Sequence, residues 1–225
     1  EAEDQLNSTK LSPKGLLRVN APMSFGIQHL GDAVADFMHK YPEVEIDLVL
    51  NDQVVDLLES GFDMAIRIAN LPDSSLVARR LAPCRRVVVA TTDYWNDHGR
   101  PPHPNDLKSH NALLYDYLEE RDVWMFKGPE GRFKVPLQGK LRANNGEVML
   151  AAVRKGLGVD RVPTFFCCED LRNGTLESVL EDFEDDPINI YAVYPHRRHL
   201  STKVRVFVDF LADRFKGRPY WDNWD

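Results

Sequence analysis

Two short stretches carry the side chains best suited to holding a small polar ligand. In residues 22–26, Ser24 offers a hydroxyl where a strand gives way to a helix, with Met23 and Phe25 beside it as apolar walls. In residues 144–147, Asn144 and Asn145 stand at the opening of another helix, and the Asn145 carboxamide can both donate and accept. A helix N-terminus points unpaired amides outward and carries partial positive charge, so both openings suit an anionic or polar small molecule. Arg67 ends a β-like run, where its guanidinium can grip a carboxylate with two parallel hydrogen bonds. Each residue also has a plainer explanation. Ser and Asn are preferred N-caps, Phe25 suits core packing, and Arg67 can pair structurally with Asp63 or Asp52.

Catalytic and metal chemistry find little support. The seven histidines are scattered, and none stands at metal-ligand spacing with acids or cysteines. There is no G-x-S-x-G elbow, no phosphate loop, and no G-x-G-x-x-G after a strand. His196 and His199, flanking Arg197 and Arg198, lie between a strand and a helix and read as surface polar residues. We therefore expect no catalytic residue, no metal and no cofactor. The three cysteines, Cys84, Cys167 and Cys168, form neither a disulfide framework nor a zinc site. They favour a reducing compartment. The vicinal pair sits in a Phe-rich stretch, where packing is the default and redox sensing the alternative.

A net charge of −7 makes the chain a poor holder of a phosphate backbone by itself. Its basic clusters (Arg79-Arg80, Arg85-Arg86, Arg197-Arg198) are short and read as solvated strand ends. No stretch approaches the roughly 20 apolar residues that cross a bilayer, so no membrane partner is expected. The first residue is Glu1, which predicts a start inside a longer gene product, although a cleaved leader would leave the same trace.

The elements that must position these residues follow from periodicity and punctuation. LLRVNA predicts a strand closed by Pro22, and Ser24 then caps a helix that stops before Tyr41-Pro42. Strands over 44–50 and 62–69 flank a short helix over 54–59, a βαβ pattern that implies a parallel sheet. Residues 76–81 and 85–91 are extended, with Ala82-Pro83-Cys84 as a break between them. Further strands are expected over 113–117, 123–127, 132–142, 159–162 and 188–194. Helices are expected over 93–98, 146–155 and 164–172, and one capped by Ser201 carries Val204, Phe207, Val208 and Leu211 inward. Chain crossings near 82–86 and 184–189 divide the sequence into two lobes. Lobe I is 15–85 with 188–217, lobe II is 86–187, residues 1–14 are a connector, and 218–225 are a C-terminal tail.

Six segments resemble the effector-binding domain of LysR-type transcriptional regulators, in that family's order and spacing. They are 15–25 (GLLRVNAPMSF), 41–44 (YPEV), 55–69 (VDLLESGFDMAIRIA), 71–81 (LPDSSLVARRL), 144–147 (NNGE) and 156–159 (GLGV). The resemblance implies an α/β fold of two Rossmann-like, hinged lobes of the periplasmic-binding-protein type 2-like kind. It implies a cytoplasmic regulator that binds a small effector in the inter-lobe cleft and contacts DNA only through an N-terminal helix-turn-helix outside this chain. It also implies homodimers, with tetramers at full length, and it places Pro163 and Thr164 among the positions that line the cleft. One departure stands out. Where the family carries a small apolar residue after GLG(V/I), this chain has Asp160, which needs a partner such as Arg161. A periplasmic solute-binding protein and an enzyme are the competing readings, and a leader peptide upstream would favour the first.

Overall fold

Leu17, Val19 and Ala21 alternate along the first strand and are all fully buried, so this strand is the seed of a sheet with a covered face. In the computed structural model, residues 12–53, 56–57, 59–70, 76–117, 122–196 and 200–224 are described. The chain divides into two units, Glu1–Pro83 with Asn189–Pro219, and Cys84–Ile188 with Tyr220–Asp225.

The first unit holds β1 (Gly15–Ala21), β2 (Val44–Leu50), β3 (Met64–Ala69), β4 (Leu76–Cys84) and β12 (Ile188–Pro195) in the order β2-β1-β3-β12-β4. β1 pairs in parallel with β2 and β3, as a βαβ path requires. β12 returns from the far end of the chain and lies antiparallel to β3. Of the helix expected over 54–59, Val54, Val55 and Leu58 lie outside the described residues, as do positions 71–75 of the family-like segments.

The helix α1 is built from Met23–Phe25, a π-helical stretch Gly26–Leu30, and Gly31–Lys40. The π stretch is a departure from the ordinary helix expected, and the Gly31 amide reaches back to the Gly26 carbonyl. Phe37 of α1 packs edge-on against Phe207 at 4.7 Å, and Phe25 meets Phe215 at 5.6 Å, which seats α5 (Thr202–Arg214) beside it. Ser201 occupies the N-cap of α5 without capping through its side chain.

In the second unit, β5 (Arg86–Ala90) is the central strand between β10 (Asp160–Pro163) and β11 (Glu177–Val179), antiparallel to both. Alternation divides its side chains. Val87 and Val89 join Met149, Leu150, Val153 and Cys167 on one face, where α3 (Gly146–Arg154) and α4 (Thr164–Asn173) pack. Val88 and Ala90 face Tyr94 and Trp95 of α2 (Thr92–His98) and the hairpin β7 (Val123–Gly128)–β8 (Gly131–Pro136). Burial on both faces explains the uninterrupted hydrophobic run VVVA. A bridge between Ala112 and Val159 extends the ladder toward β6 (Leu113–Tyr115), which pairs in parallel with β9 (Leu141–Ala143).

The single strand expected over 132–142 is thus two, β8 and β9. The chain turns between them at Gly139, which lies so close to the Ala112 carbonyl that no side chain fits. Of the segment set apart as a tail, the part from Tyr220 groups with the second unit. Trp221 is fully buried at 6.3 Å from Phe165, and Arg85 lies over the Trp224 ring at 5.1 Å.

Candidate functional site

Each unit opens one helix from the end of a strand through a proline. In the first unit β1 ends at Ala21 and Pro22 is the N-cap of α1, with φ −60° and ψ 141°. In the second, β10 ends at Pro163, which is the N-cap of α4 with φ −56° and ψ 138°. Proline has no N–H to satisfy there, and its fixed φ suits the entry. Neither proline can cap through a side chain. Just beyond each stands a hydroxyl, Ser24 at 3% exposure and Thr164 at 0%. Neither Ser24 Oγ nor Thr164 Oγ1 has a hydrogen-bond partner among the described residues. A buried hydroxyl without a partner costs roughly 1–3 kcal/mol, so two in matching places are not incidental to the fold.

Ser24 therefore does not cap its helix. It sits inside the first turn, and the Asp52 carboxylate accepts the Met23 amide at 2.8 Å instead. A carboxylate at that place is favoured by the positive end of the helix. Asp52 follows the last residues of β2, and only the parallel register that sets Ala21 beside Leu50 brings it there. At 36% exposure Met23 is only part-covered, whereas Phe25 is fully buried against His29 and Phe215.

Arg67 donates to Asn20 Oδ1 at 2.6 Å and to the Ile66 carbonyl at 3.1 Å, while Asn20, itself buried, donates to the Val49 carbonyl. Burial lowers the Arg67 pKa. The acids expected to hold Arg67 are engaged elsewhere, Asp63 by Lys203 at 3.1 Å and by the Arg18 amide, and Asp52 by Met23.

In the second unit, Asn145 caps α3 through Oδ1, which accepts from the amides of Glu147 and Val148. Asn144 donates to the Tyr117 hydroxyl at 3.1 Å. The Thr164 amide is taken by the Arg85 carbonyl at 2.9 Å. Asp160 is buried and accepts from the backbone amide of Arg161 at 2.7 Å, not from its guanidinium, which lies 5.2 Å from the Phe126 ring centroid. Burial pushes the Asp160 carboxyl up to about 7. Burial also pushes Cys84 up to about 12 and raises Cys167 and Cys168, so none of the three is an activated thiol.

A groove of about 390 Å³ in the first unit is lined by Arg79, Arg80, Leu81, Ala82, Pro83, Ala212, Lys216 and Gly217, and by none of the residues above. Among the described residues no group of three or more His, Cys, Asp or Glu is arranged to hold a metal ion. No described helix is long and apolar enough to cross a membrane.

Two α/β units with strand–proline–helix openings define a regulatory domain of the periplasmic-binding-protein type 2-like class. The model of the family described as the LysR substrate binding domain matches residues 10–216, and the chain belongs to that family. It is 32% identical over 204 residues to an uncharacterized HTH-type transcriptional regulator of Haemophilus influenzae, covering 91% of this chain and 71% of the relative. It is likewise 32% identical over 216 residues to the HTH-type transcriptional regulator DmlR of Escherichia coli, covering 94% and 69%. Among solved structures, the CrgA regulatory domain of Neisseria meningitidis matches with a TM-score of 0.80 at 28% identity, over 90% of this chain and all of that one. The full-length Vibrio cholerae virulence activator AphB matches with a TM-score of 0.80 at 28% identity, over 95% of this chain and 73% of that one.

Proposed function

We propose that this chain senses a small anionic or polar effector through the helix openings at Ser24 and Thr164, and so controls transcription by a DNA-binding protein of which it is part. The observation that carries the reading is the pair of buried hydroxyls without a partner among the described residues, one in each unit behind a proline N-cap. A ligand oxygen or nitrogen meeting either hydroxyl removes its desolvation penalty, so the ligand-bound state gains what the free state lacks. Regulation requires the effector to bind two states of the chain with different affinity, since equal affinity shifts nothing. Met23 and Asn144 remain candidate contacts, as does the opening at Asn145.

The reading is cytoplasmic and non-catalytic, and the names of the relatives support DNA contact by a separate helix-turn-helix. It includes a homodimer, for which the exposed Ile27 on α1 and Val148 on α3 offer apolar contact surface. The test begins with a thermal-shift screen of a metabolite library, since a ligand selective for the native state raises its melting temperature. Hits are then titrated calorimetrically into wild type, Ser24→Ala and Thr164→Val. The substitution at the opening that a hit occupies is expected to weaken its binding about tenfold, as the loss of one hydrogen bond does. Unchanged affinity in both variants would remove these hydroxyls from the site.

A further inference from the structure

Arg86 and Arg161 lie on adjacent antiparallel strands of the second unit. Arg86 stands opposite Pro163 and Arg161 opposite Val88, so the two arginines are diagonal neighbours on one face of the sheet, a spacing that long side chains bridge. That face is the one covered by the β7–β8 hairpin, whose Phe126 lies beneath the Arg161 guanidinium. Neither guanidinium hydrogen-bonds or ion-pairs with any described side chain, although both are half-buried.

The acids nearby are already taken. Glu184 receives both arms of Arg85 at 3.1 and 2.9 Å, Asp185 pairs with Arg132 at 2.6 Å, and Asp186 pairs with Lys127 at 2.7 Å and Arg132 at 3.1 Å. The connector EDFEDDP therefore spends its carboxylate hydrogen bonds on the outer cations and leaves none for this inner pair. Burial lowers the pKa of both arginines, that of Arg161 to about 9, with Arg86 lowering it further by repulsion. Asp185 attracts both guanidiniums and Glu184 attracts Arg161, but each is already bonded to another arginine, so two like charges withdrawn from water here remain costly to the fold alone. They suit a planar or tetrahedral oxyanion, whose oxygens match the guanidinium fork.

We propose that Arg86 and Arg161 form an oxyanion-binding site in the second unit, taking the phosphate or carboxylate group of a small ligand between their guanidiniums. The site stands on residues other than Ser24 and Thr164, so the two readings fail separately. Inorganic phosphate and succinate are the probes, each titrated into the chain at constant ionic strength against sodium chloride. Melting temperature and the arginine Nε–Hε NMR signals are followed together. One or both probes should raise the melting temperature beyond chloride and shift the Arg86 and Arg161 signals saturably. A response to phosphate alone makes the ligand a phosphoryl compound, and a response to succinate alone makes it a carboxylate. Arg86→Gln and Arg161→Gln should each weaken the responding probe at least tenfold while the unliganded melting temperature stays at or above that of wild type, because the cost of burying the charge is removed. Ser24→Ala should keep the full response. Neither probe exceeding chloride, or either arginine variant keeping wild-type affinity or melting lower without ligand, overturns the proposal.

Discussion

Replacing Asp160 by asparagine should make the protein more stable at pH 8 than at pH 5, relative to wild type. The Asp160 carboxyl is buried at the start of β10 on the face that packs against α3 and α4. Its one described hydrogen bond comes from its neighbour's backbone amide. Loss of hydration raises its pKa from 3.8 to about 7. Between those values the folded chain keeps a proton that the unfolded chain has released. Stability therefore falls as pH rises through this window and levels off above about 7 with the full penalty in place. The whole shift corresponds to about 4 kcal/mol, and about 3 kcal/mol of it develops between pH 5 and pH 8. The amide of the variant cannot ionise, and any fixed cost of placing it there cancels when the two pH values are subtracted. Other titrating groups are common to both proteins and cancel as well. All four tryptophans (Trp95, Trp124, Trp221 and Trp224) belong to the second unit, so tryptophan fluorescence during urea unfolding reports on the unit that contains Asp160. The stability gap between Asp160→Asn and wild type should widen by about 3 kcal/mol from pH 5 to pH 8. Parallel pH profiles for the two proteins would refute the reasoning.

Arg154 holds the buried Asp170 with both arms at 2.9 and 2.7 Å, so Arg154→Met should cost about 2 kcal/mol by urea unfolding, with most of it restored by adding Asp170→Leu. That figure lies below the cost for a fully buried pair because Arg154 is itself 43% exposed. A Cβ on Gly158 would run into the Asn111 carbonyl oxygen, which already accepts the Val159 amide, so Gly158→Ala should lose about 2 kcal/mol or more. Gly31→Ala, which meets nothing closer than 3.6 Å on a helix, should instead gain about 0.5–1 kcal/mol, measured the same way. In the native protein at pH 8, Cys168 should react first with Ellman's reagent, while Cys84 and Cys167 wait for unfolding, since both are buried and their thiols are held protonated.

The parts of the fold legible in the sequence are those that local chemistry decides. The parallel β2-β1-β3 core follows from hydrophobic alternation and from helices bounded by Pro and Gly. The antiparallel return of β12 and the burial of Trp221 are long-range pairings, and no local pattern announces them. The division of 132–142 into two strands depends on how closely Gly139 approaches Ala112, a contact made across the sheet. The candidate site shows the same limit at the scale of single atoms. Ser24 has the residue type of a cap, yet Asp52 from another strand end does the capping and leaves the hydroxyl over. Asn145, of the same capping type, does cap its helix, its Oδ1 accepting from the Glu147 and Val148 amides. Whether a polar residue is spent on the fold or kept for a ligand is settled by its partners, and partners come from elsewhere in the chain.

The dipeptide Asp160-Arg161 makes this most sharply. Adjacent opposite charges in a sequence suggest an ion pair, and on a helix or in a loop the two side chains can turn toward each other. In a strand, successive side chains point to opposite faces. Asp160 accordingly enters the helix-covered side, among Val162 and Cys167, while Arg161 enters the hairpin-covered side, over Phe126. Neither can neutralise the other, because the sheet lies between them. The result is an acid driven toward its protonated form on one face and, on the other, a guanidinium that no described carboxylate hydrogen-bonds. A structural ion pair would have made both residues inert. Their separation by a single strand is what leaves Arg161 available beside Arg86, and it ties the pH response of Asp160 and the anion chemistry of the arginines to one local fact, the extended backbone of β10.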